Sequence, residues 1–451
     1  MTTTETSIEK PTSLPWYTEQ FAAQERTADG GPATRVHALR KEGIAQFTEA
    51  GFPTTRNEEW RFTNLTSLTK VAFARPEGTP TVTDSMLHPW VLPGTTCRLV
   101  FVNGSFDAGL SNAVQLPAGI RVESIAAALR KEDPVVLQLL GSLAPVRGNA
   151  FAALQTAFLN DGAFIDVPEG LTLEVPVELL FLAVPGAQAL AIQPRNIIRV
   201  GKNARLSVVE TYAGLSAGIY LTNVVSEVFI GEGAVLEHDK LQLEGSEAFH
   251  IGSTWFRQGR ASTMTSNSIA LGGNLVRNTV TAAFAAPGAE CTLNGLSLAT
   301  GDQLIDNHTA IDHAHPNCSS HELYKAVLDG SSRGVFNGKI FVRQDAQKTD
   351  ARQTNKTLLL SDRATIDTKP QLEIFADDVK CTHGATVGQL DEEQVFYLRA
   401  RGIGEVEARD MLTYAFAADV VERIHVDALR ERLNDLLHQR LRAGRVSTAR
   451  S

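Results

Sequence analysis

Near its C-terminal end the sequence places a thiol and an imidazole two residues apart, at Cys381 and His383. The surrounding residues 380–388 are typical of a β-strand, in which alternate side chains share a face, so the two Cα atoms would lie about 6.5 Å apart. Thiolate and neutral imidazole both bind iron, zinc and iron–sulfur clusters, but a closed site needs about four such ligands. No other Cys or His lies within about twenty residues. The pair therefore predicts half of a site that is completed from elsewhere; a packed thiol beside a structural histidine is the alternative.

The densest group of potential metal ligands lies further upstream. Its members are His308, Asp312, His313, His315, Cys318 and His321. Their spacing matches no standard zinc motif. Turn chemistry around Pro316 and Asn317 is one interpretation, and transient metal binding by His313, His315, Cys318 and His321 is the other.

Several catalytic motifs are absent from the sequence. Residues 330–339 are rich in glycine and end in lysine, but Ile340 stands where a P-loop requires Ser or Thr, and the first glycine is misplaced. Neither a G-x-S-x-G elbow nor a G-x-G-x-x-G motif after a strand is present. We therefore expect no hydrolysis of ATP by this chain.

Composition narrows the class of protein further. The 451 residues are 43% hydrophobic and 21% charged, which is typical of a globular chain with two or three domains. A net charge of −9 argues against binding to nucleic acid or to an anionic membrane. Residues 1–10 lack the features of a secretory signal, and the most apolar stretch, 179–192, is too short to span a membrane. These features predict a cytoplasmic protein with four reduced cysteines.

A repeat of 27 to 30 residues runs through the middle of the chain. Small residues recur at the turns between short β-rich runs, namely Ala204, Ala234, Ala261, Ala289, Cys318 and Ala346. Such a period predicts a solenoid in which each turn buries its apolar face against its neighbours. We place a mainly helical region with some β-structure at 1–162, a parallel β-helix at 163–389 and a helical domain at 390–451.

The last region predicts three helices. Asp391 is a candidate N-cap with Gln394 three residues later, and the second helix carries an apolar stripe at i, i+4 spacing. The stripe comprises Leu412, Phe416, Val420 and Ile424. It predicts packing on neighbouring helices, which leaves another face of the same helices for a partner. A solenoid also exposes its terminal strands, so we expect an end cap or a partner chain.

Four stretches of the sequence resemble the SufB/SufD family of iron–sulfur cluster assembly proteins. They are 57–65 (NEEWRFTNL), 361–374, 380–388 and 397–403. The 57–65 motif, the modest length and the few cysteines resemble the SufD branch more than the SufB branch. The resemblance implies a right-handed parallel β-helix and a non-enzymatic accessory subunit that pairs with SufB and binds the ATPase SufC through its C-terminal helices.

The resemblance also assigns roles to particular residues. His383 matches a position at the interface between SufD and SufB, where it faces a SufB cysteine, and Cys381 lies beside it. No cofactor would be permanently bound; iron or a nascent cluster would be held transiently at this interface. The C-terminal helices, with the stripe at Leu412 and Phe416, would carry the ATPase. A homodimer is possible for the chain in isolation.

Two other functions stay open at this point. The chain could be the SufB-like scaffold itself, although its scarce cysteines and its 57–65 motif argue against that. It could also be a β-helix enzyme acting on polysaccharides, with Asp302, Asp306 and Asp312 as its carboxylates. Such enzymes usually work outside the cell, so the missing export signal argues against this second alternative.

Overall fold

The computed structural model describes residues 14–27, 35–113 and 116–448. The prediction that residues 1–10 lack a secretory signal concerns residues outside these ranges. The described helices are α1 (Leu14–Thr27), α2 (Arg35–Ala50), α3 (Thr66–Thr69), α4 (Asp84–Leu87), α5 (Ile125–Arg130), α6 (Pro134–Leu139), α7 (Ala150–Ala157), α8 (Glu392–Arg399), α9 (Glu405–Val421) and α10 (Asp427–Thr448). Within the described residues, none of them is long and apolar enough to cross a membrane.

Strands dominate the region between the terminal helices. They are β1 (Cys97–Val102), β2 (Ser105–Ala113), β3 (Arg121–Ser124), β4 (Ala163–Val167), β5 (Val177–Ala183), β6 (Leu190–Ile192), β7 (Arg195–Val200), β8 (Arg205–Gly214), β9 (Tyr220–Ile230), β10 (Val235–Leu243), β11 (Phe249–Gln258), β12 (Thr263–Ala270), β13 (Leu275–Phe284), β14 (Glu290–Ala299), β15 (Leu304–His313), β16 (Ser319–Leu328), β17 (Arg333–Val342), β18 (Asp350–Leu359), β19 (Thr365–Ile374) and β20 (Lys380–Gly388). From β7 onward the strands alternate between two long sheets.

From β7 and β8 onward, neighbouring strands of each sheet are two apart in sequence. One has the order β2-β1-β5-β8-β10-β12-β14-β16-β18-β20, and the other runs from β19 through β17, β15, β13, β11, β9, β7 and β4 to β3. From β4 and β5 to the end, neighbouring strands are parallel and mostly in register. The predicted mainly β fold, a parallel solenoid with helical regions at both ends, is confirmed. Its right-handed sense stays a prediction.

The N-terminal end of the solenoid is closed by antiparallel strands. β1 and β2 form a hairpin around Asn103 and Gly104, both with positive φ, as the Asn-Gly pair predicts. β1 then pairs with β5, and β3 pairs antiparallel with β4. The sequence pattern placed the first coil at residue 163. Both sheets in fact begin upstream of that residue.

Most of the predicted turn residues do occupy the bend before a strand. In a tight bend between stacked coils only a small side chain fits, and each of these is 0% or 1% exposed. They are Ala204, Ala234, Ala289 and Cys318, which precede β8, β10, β14 and β16.

The other two predicted residues also lie in turns but do not directly precede a strand. The buried residue before β12 is Ser262, whereas Ala261 is exposed with a φ of 49°. Ala346 is fully buried, but the residue before β18 is Thr349, whose hydroxyl donates to the Ala346 carbonyl. The turn between β17 and β18 is longer than the earlier turns, and this shifts the register of the repeat.

Polar side chains fill much of the space between the two sheets, which we call the lumen. Side chains that bond from one sheet to the other identify it: Lys240 Nζ donates to Asn278 Oδ1 at 2.8 Å, and Asn307 Nδ2 donates to Ser297 Oγ at 3.0 Å. Buried polar groups are tolerated when they have hydrogen-bond partners. The lumen is therefore a bonded polar network rather than a purely apolar core.

One lumen pair lies near the C-terminal end of the solenoid. Gln353 Nε2 donates to Glu322 Oε2 at 2.6 Å, and both side chains are buried. Burial raises the pKa of the Glu322 carboxyl to about 7. The buried surroundings of Glu322 therefore disfavour the charged form of its carboxyl.

The segment around Trp60 is fastened to the outer face of the β19-to-β3 sheet. The Trp60 ring stacks on Phe151 with centroids 5.2 Å apart, and the Arg277 guanidinium lies 3.8 Å from its centroid. Arg277 in turn pairs with Asp306 at 2.6 Å, and the Thr63 hydroxyl donates to the same carboxylate. These contacts, which we call the Trp60 clamp, explain the 57–65 motif as an attachment of the N-terminal region.

Replacing Trp60 with alanine should detach this clamp. The stacked ring and its cation–π contact would both be lost, which we expect to lower the free energy of unfolding by about 3 kcal/mol. Urea unfolding followed by circular dichroism would measure the change. The exposed neighbour Arg61, changed to alanine, serves as the control; equal destabilisation by both variants would contradict the role of the clamp.

Replacing Glu322 with glutamine should change how stability depends on pH. Because its folded pKa lies near 7, above the ordinary value of 4.5, the carboxyl lowers stability progressively as pH rises between these values. The free energy of unfolding of Glu322→Gln relative to the natural chain should therefore rise by about 3 kcal/mol from pH 4.5 to pH 7 and then level off. Exposed Glu290, changed to glutamine, should give a flat difference; a flat difference for Glu322→Gln would refute the assignment.

Candidate functional site

The last coil of the solenoid is open on one side. β19 pairs only with β17, and β20 pairs only with β18, so each strand has one edge of its backbone unpaired. Nearly all residues of β20 are exposed. Unpaired parallel strands of this kind are templates for pairing with another chain.

Cys381 and His383 both lie on this terminal strand. Cys381 is in register with buried Ala351, and His383 is in register with buried Gln353. The two donors therefore continue neighbouring columns of the lumen, which fits the same-face prediction. His383 is exposed, whereas Cys381 is half-buried and packs against the cluster that contains Val342.

The two donors differ in how readily they could bind a metal. Burial raises the pKa of the Cys381 thiol, so the thiol holds its proton near neutral pH and would have to lose it on coordination. His383 is reachable from solvent without any rearrangement. The histidine is thus the more accessible half of the pair.

Apolar side chains surround the open coil. Phe375, which follows β19, is 58% exposed and stacks at a tilt on Phe341. Leu360, Ile374 and Val387 are also exposed large hydrophobic residues. Exposed apolar residues beside unpaired strands are typical of a protein–protein contact surface.

The upstream group of potential ligands is not assembled into a site. His313 lies in the lumen, where its Nε2 bonds with Ser320 Oγ at 2.9 Å, whereas His321 is exposed on the outer face of its sheet. Cys318 is buried in a turn and contacts backbone carbonyls. His315 lies in the same turn as Cys318, and no hydrogen bond joins it to Cys318 or to His313. In the ranges that the structure describes, no three His, Cys, Asp or Glu side chains converge on one point, so the structure does not bring together the set suggested for transient metal binding.

The remaining members of that group make ion pairs. His308 lies between Asp306 Oδ1 at 3.0 Å and Glu59 Oε2 at 3.4 Å, and although burial opposes its charge, these carboxylates raise its pKa. Asp312 pairs with Arg343. Of the carboxylates suggested for a polysaccharide enzyme, Asp306 is fully buried in the Trp60 clamp and Asp312 is paired, so neither is presented to a substrate.

The apolar stripe on α9 packs mainly on the solenoid. Val420 and Ile424 are fully buried in the cluster that joins α9 and α10 to the β20-containing sheet. Lys325, on β16, donates to the Phe416 carbonyl at 2.9 Å and pairs with Asp419 at 2.7 Å. These residues cannot form an exposed docking surface, which agrees with the packing interpretation of the stripe.

Leu412 is the exception, since it lines an open groove between α8 and α9. The groove has a volume of about 470 Å³, and its other lining residues include Tyr397 and Leu398. Phe396 and Tyr397 are 71% and 57% exposed. We call this surface the α8–α9 groove.

Sequence reasoning missed the exposed residues of the α8–α9 groove and its surroundings. They lie off the i, i+4 stripe and so were not recognised as a second apolar face. A signal was present, because Phe396 and Tyr397 are adjacent aromatic residues on a short helix that buries only Val395. Val406 and Met411 on α9 are exposed as well.

Comparison with protein families identifies the two parts of the chain separately. A family model described as the SufBD core domain of SUF system FeS cluster assembly matches residues 183–416. A second, described as the SufBD protein N-terminal region, matches residues 12–179. The first covers the solenoid from β5 onward and extends into α9.

Curated relatives match almost end to end. An iron–sulfur cluster assembly SufBD family protein of Synechocystis is 33% identical over 92% of this chain and 93% of its own length. The iron–sulfur cluster assembly protein SufD of Escherichia coli is 31% identical over 91% of this chain and 94% of its own. The chloroplastic protein ABCI7 of Arabidopsis thaliana is 29% identical over 94% and 90%. The chain belongs to the SufBD family of iron–sulfur cluster assembly proteins of the SUF system.

Proposed function

We propose that this chain is a SufD-like, non-enzymatic subunit that supports cluster assembly at a junction with a second, SufB-like chain. The observation that carries the proposal is His383, an exposed metal-binding side chain on a strand with an unpaired edge. A cluster or iron ion held there would be cargo and would take its other ligands from the partner or from sulfide. The E. coli relative, named as SufD, supports this branch of the family.

The open coil supports pairing with a second chain of similar fold. A partner strand added to β20 would satisfy its free backbone groups and cover Val387, while Phe375 would be covered beside it. The only charged side chain within β20 is Lys380, so this strand carries few of the charges that usually block edge pairing. A second copy of this chain could occupy the same edge in isolation.

Incomplete coordination suits an assembly site. A cage of four protein ligands would retain its product, whereas one histidine and one half-buried thiol hold a cluster only while the partner completes the sphere. Separation of the two chains would then release it. In this way the exposed His383, together with the half-buried Cys381, whose thiol would lose its proton on coordination, would contribute to transfer.

We further propose that the ATPase SufC binds at the α8–α9 groove. The groove is lined by the exposed aromatic ring of Tyr397, and exposed Phe396 is its neighbour on α8; rings of this kind are the usual anchors of protein interfaces. α9 is fixed to the solenoid through Lys325 and Asp419. Movement imposed by an ATPase on these helices would therefore reach the sheet that ends at β20.

Other assignments remain predictions. These are a cytoplasmic location, the absence of nucleic-acid and membrane partners, and the absence of a resident cofactor. One relative is named as chloroplastic, so family membership leaves the compartment open. The alternative that the chain is the SufB-like scaffold itself is disfavoured by its buried cysteines, since Cys97, Cys291 and Cys318 are all inaccessible.

Replacing His383 with alanine should reduce cluster formation in the purified complex about tenfold or more, because one ligand of the junction is lost. Iron and acid-labile sulfide bound per complex would be counted after reconstitution. His321, which is also exposed and lies on a strand of the same sheet, provides the matched control when changed to alanine. An unchanged cluster content with His383→Ala, in a complex that still forms, would refute the assignment.

Replacing Tyr397 with alanine should weaken ATPase binding about tenfold or more, because an aromatic anchor of the α8–α9 groove is removed. Titration of the isolated ATPase against the immobilised chain would measure the affinity. This substitution is sharper than deletion from Asp391, which would also remove the helices that cover the β20-containing sheet.

Phe375→Ala is the control for that experiment, since this residue is equally exposed but lies at the open coil. It should leave ATPase affinity unchanged and weaken pairing with the second family member. Loss of ATPase binding by Phe375→Ala, with retention by Tyr397→Ala, would reverse the assignment of the two surfaces.

A further inference from the structure

A single column of lumen residues leads to His383. In register on three successive coils of the same sheet are Glu322 on β16, Gln353 on β18 and His383 on β20. Side chains in register on neighbouring parallel strands point to the same face and lie about 4.8 Å apart. Gln353 is therefore the direct neighbour of His383 within the lumen.

The Gln353 amide is held in one orientation. Its Nε2 donates to Glu322 Oε2 at 2.6 Å, and the side chain is 1% exposed. On the facing sheet Gly338 leaves room for it: a Cβ at that position would lie 2.3 Å from Nε2 and 2.7 Å from Cδ. The hydrogen bond to Glu322 and the close approach of Gly338 therefore restrict the rotation of the Gln353 amide.

This orientation leaves the amide oxygen without a partner. Gln353 Oε1 is buried and accepts no hydrogen bond from any residue that the structure describes. Glu322 is the register neighbour of Gln353 on one side and His383 on the other, so an amide whose nitrogen faces Glu322 can direct its oxygen toward the coil of His383. A buried acceptor without a donor is costly, and His383 carries an imidazole N–H that could serve as one.

We propose that Gln353 is a positioning residue for His383: rotation of the exposed imidazole would let its N–H donate to Gln353 Oε1, a bond that is not formed in this structure. This bond fixes which ring nitrogen carries the proton and leaves the other nitrogen, with its lone pair, directed out of the open coil. Metal-binding histidines generally have such an acceptor behind them. The role of the free nitrogen toward iron rests on the proposed function; the hydrogen bond itself does not.

A neutral hydrogen-bond acceptor is better suited than a charged one to orienting a histidine that must keep a lone pair free for a metal. A carboxylate at position 353 would favour the imidazolium form of His383, which has no lone pair for a metal. The amide orients the ring without stabilising the extra proton to the same degree. Glu322 acts indirectly: it accepts the hydrogen bond from the Gln353 amide nitrogen and so keeps the amide oxygen available to His383.

Nitrogen NMR of the full-length chain, labelled at its histidine side chains, tests the bond without any metal. His383→Asn assigns the His383 signals, and exposed His321 on the outer face is the internal reference. We expect His383 to show two well-separated ring-nitrogen shifts, as for one dominant tautomer, while His321 shows the averaging of a solvated ring. Averaged shifts for His383 in the natural chain would overturn the proposal, and this comparison needs no lumen variant.

Gln353→Leu should move the His383 shifts to the averaged values of His321. Asn355→Leu is the matched control: Asn355 is a buried lumen residue of the same strand and is also bonded to the preceding coil, but its register partner is Ala385. It should leave the His383 signals in place. Unchanged shifts in Gln353→Leu, or equal changes in both variants, would show that Gln353 does not position the ring.

Cluster content of the purified complex separates this inference from the proposed function. Gln353→Leu should lower it about tenfold, as for the loss of an acceptor behind a metal-binding histidine, and Asn355→Leu should not. If His383→Ala leaves cluster content unchanged, the proposed function fails whatever the NMR shows. If His383→Ala lowers it but Gln353→Leu changes neither shifts nor content, only the positioning role is overturned.

Discussion

Backbone pairing between parallel coils is the constraint on which this structure depends. A solenoid supplies each inner strand with a neighbour on both sides, so its stability grows as coils stack. The strands at its two ends each lack one neighbour and need another partner for their backbone groups. At the N-terminal end the β1–β2 hairpin and β3 complete the sheets with antiparallel strands. At the other end β19 and β20 are left with free edges. The chain therefore has one finished end and one open end, and the candidate metal ligands Cys381 and His383 lie at the open one.

The lumen adds a second constraint, because its polar groups must be bonded to each other. Glu244, for example, would have a raised pKa from burial alone, but His250 and Thr222 bond to it and hold the pKa below its ordinary range. Some polar atoms lack a partner along the whole lumen, from His250 Nε2 and Asn278 Nδ2 in the middle to Glu322 Oε1 and Gln353 Oε1 near the open end. At Glu322, where burial is not offset by enough hydrogen bonds, the pKa is raised.

The sequence predicted the features that depend on local pattern. Small residues at a regular interval indicated the solenoid, and Asp391 was identified as an N-cap, whose side chain indeed accepts from Glu393 N. Differences arose where the interval varied: the longer turn before β18 places Thr349, and not Ala346, directly before the strand, although both are buried. The period alone contains no information on turn length, so this shift could not be anticipated.

Contacts between distant residues were beyond the reach of sequence pattern. The group around His313 looked like a metal site because its members are close in sequence, yet alternation along β15 and β16 sends them to different faces. Conversely, Gln353 and His383 are thirty positions apart and meet only because two coils are in register. The resemblance to the family pointed to His383, and the fold shows that Gln353 is its register neighbour.

The Trp60 clamp has a consequence for the order in which the chain acquires its structure during synthesis. Thr63 bonds to Asp306 across 243 residues, and Glu58 pairs with Lys369 on β19 across 311. The earliest of these residues must therefore leave the ribosome long before their partners exist. Coils can add one after another as they emerge, but the Trp60 clamp can close only once β15 is in place, and the Glu58–Lys369 pair can form only once β19 is. A chain that stops short of β19 would keep Glu58 unpaired, so this ion pair distinguishes a completed molecule from a truncated one.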